Sequence, residues 1–256
     1  MSLNGIKTSA IGIMSGTSLD GLDLCYAEFK FDDKWDFKII ATDFVPYGRK
    51  WRESLSISHD LPKESLEQVH LDFGQFSANC ANIFLQETKL PKPNIICSHG
   101  HTVFHEPKNG ITVQIGDGEA IANQTRITCI SDFRTEDVAL GGEGAPLVPI
   151  GDELLFTDYM ACLNLGGFSN ISFREENERR AFDVCPVNII LNPLANKLGK
   201  EYDANGEIAR DGQIDQELLK NLNNLPFYSQ TPRPSLAREW IEHSFFPLVE
   251  KSEASI

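Results

Sequence analysis

The chain has 256 residues, 41% hydrophobic and 23% charged, a globular balance with room for one large domain or two small ones, which sets disordered and fibrous classes aside. Its formal net charge is -14 and its sequence pI lies near 4.8, so nucleic acid and anionic membrane are poor partners. Small anions such as ATP stay within reach, because backbone N–H groups and a bound cation hold phosphates without basic side chains.

Three extended stretches open the chain: SAIGIMS, LDLCYAEFKF and FKIIATDFVPY. Leu22, Leu24 and Tyr26 alternate against Asp23 and Glu28, and Asp32-Asp33 supplies the turn before the third stretch, so short-turned strands are predicted. A helix is predicted from about Pro62 to Thr88, with Leu66, Val69, Phe73, Phe76, Cys80 and Ile83 on its buried face. Pro91 and Pro93 end it. NIICSHG, ITVQIGD and RITCISDF read as short buried strands, with EAIANQT helical between the last two. LGGEGAPLVPIGDELLF is a Gly-rich loop entering a helix.

Near Tyr159 the opening pattern restarts. YMACLNLGGFSNISFREENERRAFDVCP gives a strand, a glycine turn, a second strand, a polar turn over 175–180 and a third strand. VNIILNPLANKLG follows as a helix. Two related β-β-β-α halves are expected, residues 1–158 and 159–256, each opening with a strand and a tight Gly/Ser turn. Helices over DQELLKNLNNL and REWIEHSFFPLVEK complete the second, with a polar loop at QTPRPS.

The six cysteines, at 25, 80, 97, 129, 162 and 185, have no CxxC spacing. Cys97, Cys129 and Cys162 sit in apolar runs, so reduced core thiols and a cytoplasmic location are expected. The sequence shows neither a secretory leader at its start nor an apolar run of spanning length.

MSGTSLDGLD at 14–23 reads either as a hairpin turn or as a phosphate-binding turn. In the second reading Gly16 and Gly21 admit a phosphate, Thr17 and Ser18 offer hydroxyls, and Asp20 holds a hydrated Mg²⁺. A Walker A lysine is absent. Asp183 in FDVCP is either a turn former or a general base. His99 and His101 in ICSHGHTVFH, with His105 following, are expected to hydrogen-bond along a polar cleft, since a third metal ligand at motif spacing is missing. SDFR with GGEGAPLVP, and NLGGFSN, give backbone-rich surfaces suited to a sugar or nucleotide. DANGEIARDGQID lacks the spacing of a calcium loop.

In their order, GIMSGTSLDGLD, SHGHTVFH, TVQIGDGEAIA, SDFRTEDVALGGEGAPLVP, NLGGFSNIS, FDVCPVN, YDANGEIARDG and TPRPSLAREW resemble the anhydro-N-acetylmuramic acid kinases. The resemblance implies a two-domain actin-like ATPase (ribonuclease H-like) α/β fold, with duplicated mixed sheets flanked by helices and a hinged cleft for ATP and an amino sugar. It places Gly16, Thr17, Ser18, Leu19, Asp20, Gly21, Leu22 and Asp23, with Gly166 and Gly167, at ATP and Mg²⁺. Asp183 becomes the catalytic base, and Arg134, His105 and Asp132 become sugar contacts. The implied reaction opens the 1,6-anhydro ether with water and phosphorylates O6 from ATP, in the recycling of cell-wall sugars. A homodimer stays open. The departures are His101 and Glu143, where Gln is common, and VCPVN, where TGPGN is common. Family members continue past Trp240 into an adenosine-holding segment, so an incomplete second domain with weak ATP affinity is expected. The competing readings are a kinase for a free sugar hydroxyl and a non-catalytic binding relative.

Overall fold

The computed structural model describes residues 5–16, 18–106, 109–142, 144, 147–231, 233–236 and 240–252. They fall into two compact units, Met1–Leu155 and Phe156–Ile256. Both mix strands and helices.

In the first unit, β1 (Ile6–Ser15), β2 (Gly21–Asp32) and β3 (Lys34–Pro46) form an antiparallel meander. Leu22, Leu24 and Tyr26 point inward while Asp23 and Glu28 face out, as the alternation predicts. Asp33 makes the β2–β3 turn at φ 65°, a left-handed conformation that Asp tolerates. A short helix, α1 (Arg49–Ser56), follows in a stretch for which the sequence predicts no element. The long helix α2 spans Lys63–Thr88 and ends on Lys89 in the left-handed conformation.

The buried face of α2 corrects the sequence reading. It carries Phe73, Ser77, Cys80, Ala81 and Phe84, whereas Ile83 is 53% exposed. At about 100° per residue, the eleven-residue step from Phe73 to Phe84 returns to the same line, whereas Ile83 has rotated about 80° away from it.

Next come β4 (Ile95–Ser98), β5 (His101–Glu106), β6 (Ile111–Ile115), α3 (Gly118–Thr125), β7 (Thr128–Ile130), α4 (Phe133–Ala139) and α5 (Val148–Leu155). β4 runs parallel to β1, and β7 parallel to β4, giving a mixed sheet in the order β3-β2-β1-β4-β7. Among the described residues β5 and β6 pair only with each other. That changes two expectations. Of the three strands expected to be buried, only β4 is central; β6 lies in the ribbon and β7 at a sheet edge. SDFR is not the end of a strand, because Asp132 turns at φ 58° and α4 begins at Phe133.

Ile11, Ile13, Leu22, Leu24 and Tyr26 pack on Phe73, Ala81 and Phe84 of α2, joined by Ile96 and Ile121. Each such fully buried large side chain contributes about 1.5–3 kcal/mol. The six cysteines are free thiols, but only Cys80 is buried; Cys97, Cys129 and Cys162 are half-buried rather than in the core. Among the described residues, no helix is long and apolar enough to cross a membrane.

The second unit opens with another antiparallel meander, β8 (Ala161–Leu165), β9 (Phe168–Glu175) and β10 (Glu178–Pro186), followed by α6 (Asn188–Lys197). α7 (Glu207–Asp211) starts on Asp203, whose carboxylate accepts the N–H groups of Ile208 and Ala209 at 2.8 and 3.0 Å. The acidic DANG run is thus a helix anchor. α8 (Gln216–Asn223) is capped by Asp215. The predicted last helix begins as a π-turn over Ile241–Phe245 and continues as α9 (Phe246–Lys251); its residues 238–239 lie outside the described residues. Ile190, Ile241 and Phe245 centre this unit's core.

Candidate functional site

The turn between β1 and β2 is built around Asp20. Its Oδ1 accepts the Ser18 hydroxyl at 2.6 Å and the Gly21 N–H at 3.0 Å, while its carbonyl accepts the Tyr47 N–H at 2.9 Å. Those bonds fix the carboxylate. Gly16 carbonyl accepts from Leu19, which turns at φ 57°. Leu22 is fully buried, so only its backbone can face a ligand. A Cβ at Gly21 would lie 2.5 Å from the Phe44 ring and 2.6 Å from the Val45 carbonyl, so packing against β3 is reason enough for this glycine. Asp23 faces outward beside Asp20; desolvation first, and then the Asp20 charge, lifts its carboxyl above the usual range. Thr17 and Glu143 lie outside the described residues.

Beneath the turn, Tyr47 donates to Ser15 Oγ at 2.6 Å, and Ser15 Oγ lies 2.9 Å from His101 Nδ1. All three are buried. With Tyr47 donating, the serine hydroxyl is free to donate onward to His101. Burial, and then the nearby His99, push the His101 pKa down to about 4. It is a neutral core residue and not part of a cleft wall, because β4 ends at Ser98, Gly100 turns at φ 69°, and the two histidines are not on one strand.

His99 is oriented differently. Its Nδ1 lies 3.0 Å from the Gly100 carbonyl and its Nε2 lies 2.9 Å from the Arg134 guanidinium. A carbonyl can only accept and a guanidinium can only donate, so the proton sits on Nδ1 and Nε2 carries the lone pair. Burial is the first cause of its lowered pKa, and the Arg134 charge adds to it against the opposing Gly100 bond. Arg134 Nε is buried and without a partner among the described residues.

Beside this pair lies a cavity of about 380 Å³, lined by residues that include His99, Thr112, Gln114, Ser131, Asp132 and Thr135. Asp132 Oδ1 accepts the Thr135 hydroxyl at 2.6 Å. His105 stands exposed on β5, its Nδ1 3.3 Å from Thr112 Oγ1, which also accepts Gln114 Nε2 at 2.8 Å. The sequence assigns roles to Arg134, Asp132 and His105 but none to Gln114 or Thr112, although both stand in the TVQIGDGEAIA string that carries the resemblance. A further signal is the pair of polar residues, Thr112 and Gln114, alternating with apolar ones in ITVQI.

In the second unit, Gly166 and Gly167 connect β8 to β9. Their carbonyls accept the N–H groups of Asn188 at 3.2 Å, and of Val187 and Ile189 at 2.9 and 3.2 Å. The glycine turn therefore occupies donors at the start of α6 that an anion could otherwise take. Asp183 lies on β10, half-buried, with Oδ2 accepting the Leu236 N–H at 2.7 Å. Desolvation raises its pKa and the Leu236 bond lowers it in part, leaving it net raised. A half-buried carboxylate with one oxygen already hydrogen-bonded is chemically able to accept a proton at the other. Among the described residues, no group of three His, Cys, Asp or Glu gathers as a metal site.

A family model described as anhydro-N-acetylmuramic acid kinase matches residues 8–252. The chain is similar to proteins of that name from Mannheimia succiniciproducens (40% identical over 247 residues, 91% of this chain and 65% of that protein), Haemophilus influenzae (38% over 261, 95% and 67%) and Pseudomonas fluorescens (38% over 247, 91% and 67%). It spans about two thirds of the length of these relatives. A match over nearly the whole chain, with identity at this level, places it: the chain belongs to the anhydro-N-acetylmuramic acid kinase family.

Proposed function

We propose that the protein phosphorylates 1,6-anhydro-N-acetylmuramic acid from ATP while opening its anhydro bond, giving N-acetylmuramic acid 6-phosphate and ADP. The two units correspond to the halves of an actin-like kinase. The observation that carries the reading is Asp183, a half-buried carboxylate of raised pKa held at one oxygen, in a chain of this family.

The chemistry follows from the substrate. O6 is tied to C1 in an ether and has no proton to lose, so the bond must open first. The Asp183 carboxylate accepts a proton from water while the water oxygen bonds to C1. The C1–O6 bond breaks, its electron pair goes to O6, and O6 attacks the γ-phosphorus as ADP leaves. Arg134, held by His99, and the cavity beside it, with His105 and Asp132, serve the sugar.

The Gly16–Asp23 turn serves the phosphates. Mg²⁺, when bound, neutralises charge on the transferring phosphoryl group. Asp20 fits a place beside it: its carboxylate is fixed by two hydrogen bonds, and Asp23 adds a second negative charge nearby. One or two protein carboxylates plus substrate oxygens suffice for Mg²⁺, so the lack of a three-ligand cluster among the described residues is no objection. Six free thiols agree with action in the cytoplasm.

The test is ADP release by the full-length protein with the anhydro sugar, its opened form, glucose and glucosamine, in ¹⁸O water. The proposal expects ADP with the anhydro sugar and heavy oxygen at C1 of the product. Faster ADP release with the opened sugar would instead identify a kinase for a free hydroxyl.

A further inference from the structure

We infer that only one oxygen of Asp183 is available as a proton acceptor, and that the 233–236 segment is the positioning element that makes it so. This deepens the proposed function and rests on Asp183 being the base. The Leu236 N–H meets Oδ2 at 2.7 Å, a short bond of the charge-assisted kind. Among the described residues only that oxygen has a donor, which leaves Oδ1 for the attacking water. A backbone amide does not titrate in this range. It therefore orients the carboxylate without competing for the proton.

The same segment grips β10 a second time. The Arg233 guanidinium lies over the Phe182 ring, 5.0 Å from its centroid. Phe182 and Asp183 are successive strand residues, and such side chains leave opposite faces. Among the described residues β10 pairs only with β9, so four residues can straddle its other edge and hold both faces. The strand is also shaped at this point. The register with β9 slips between Asp183 and Cys185, leaving Val184 as the extra residue of a bulge. Ser169, buried at 2% exposure, bonds both sides of Cys185, donating to its carbonyl at 3.2 Å and accepting its N–H at 3.3 Å. Asp183 is thus fixed by a bulge from within the sheet and by a clasp from outside it.

NMR of the chain tests this without requiring turnover. In the parent, the Leu236 amide proton should follow the titration of the Asp183 carboxyl, and the response should vanish in Asp183→Asn. Leu236→Pro deletes the donor, so the Asp183 pKa should rise by about one pH unit relative to Leu236→Ala, which keeps it. In the full-length protein the acid limb of kcat/KM should move up equally. An amide indifferent to that titration, or proline and alanine variants that titrate alike, overturns the inference. If Leu236→Pro does not fold, the amide response of the parent decides. If the parent has no activity on the anhydro sugar, the kinase proposal fails while the NMR result still decides this one.

Discussion

His99 and Arg134 meet across 2.9 Å with the imidazole as acceptor, so a neutral histidine aims a guanidinium. The pair stands beside the cavity assigned to an acidic sugar. Arg134→Gln should raise KM for the anhydro sugar about 10- to 100-fold, the range for losing a bond between charged partners, with KM for ATP little changed. Steady-state kinetics of the full-length protein checks this. An unchanged sugar KM would remove Arg134 from the site.

His101 gives a stability prediction with a definite sign. Its folded pKa, about 4, lies below the ordinary value of 6.5, so between those values the unfolded chain binds a proton that the folded chain refuses. Stability should therefore fall as pH drops from 6.5 towards 4, by about 3 kcal/mol from this residue. Urea melts at pH 7 and 4.5 measure it. His101→Gln should flatten that dependence, even where it lowers stability at neutral pH, and an equally steep loss in the variant would count against the assignment.

Asp183→Asn keeps the size of the side chain and an acceptor for Leu236 but cannot take a proton. In the full-length protein kcat should drop by about 10²–10⁴-fold, with ATP and sugar binding little changed by calorimetry. A variant that keeps more than about a tenth of kcat would mean another base.

Asp20 is expected to act through the cation. Asp20→Asn should lower turnover and weaken the dependence of rate on Mg²⁺, while sugar binding persists. An unaltered Mg²⁺ titration would leave Asp20 as the organiser of a turn and nothing more.

Regular periodicity was readable wherever neighbours in sequence set the structure. β1 to β3, α2 and the β8 to β10 meander declared themselves through alternation, proline stops and turn residues. What escaped was either a backbone turn that the residue type permits without announcing or a contact distant in the chain. SDFR looked like a strand end, because nothing local reveals that Asp132 turns left-handed and starts α4. His99 and His101 stand two apart in the sequence, yet Gly100 turns the chain between them. In the candidate site, Arg134 and His99 each stood out as residues, yet their pairing spans 35 positions. The Leu236 contact to Asp183 spans 53 and involves a backbone amide, which no side-chain identity betrays.

Gly74 on α2 has a consequence for how the cavity moves. A Cβ there would lie 2.6 Å from the Asp117 carbonyl, and the Asp117 N–H bonds the His70 carbonyl at 3.1 Å. The wall of the cavity is thus joined backbone to backbone to a helix whose same side, at Ala78 and Ala81, enters the core. The Asp117 amide, bonded to the α2 backbone, should therefore exchange with solvent more slowly than an exposed loop amide. Ligand entry is then expected to leave this seam between Gly74 and Asp117 in place.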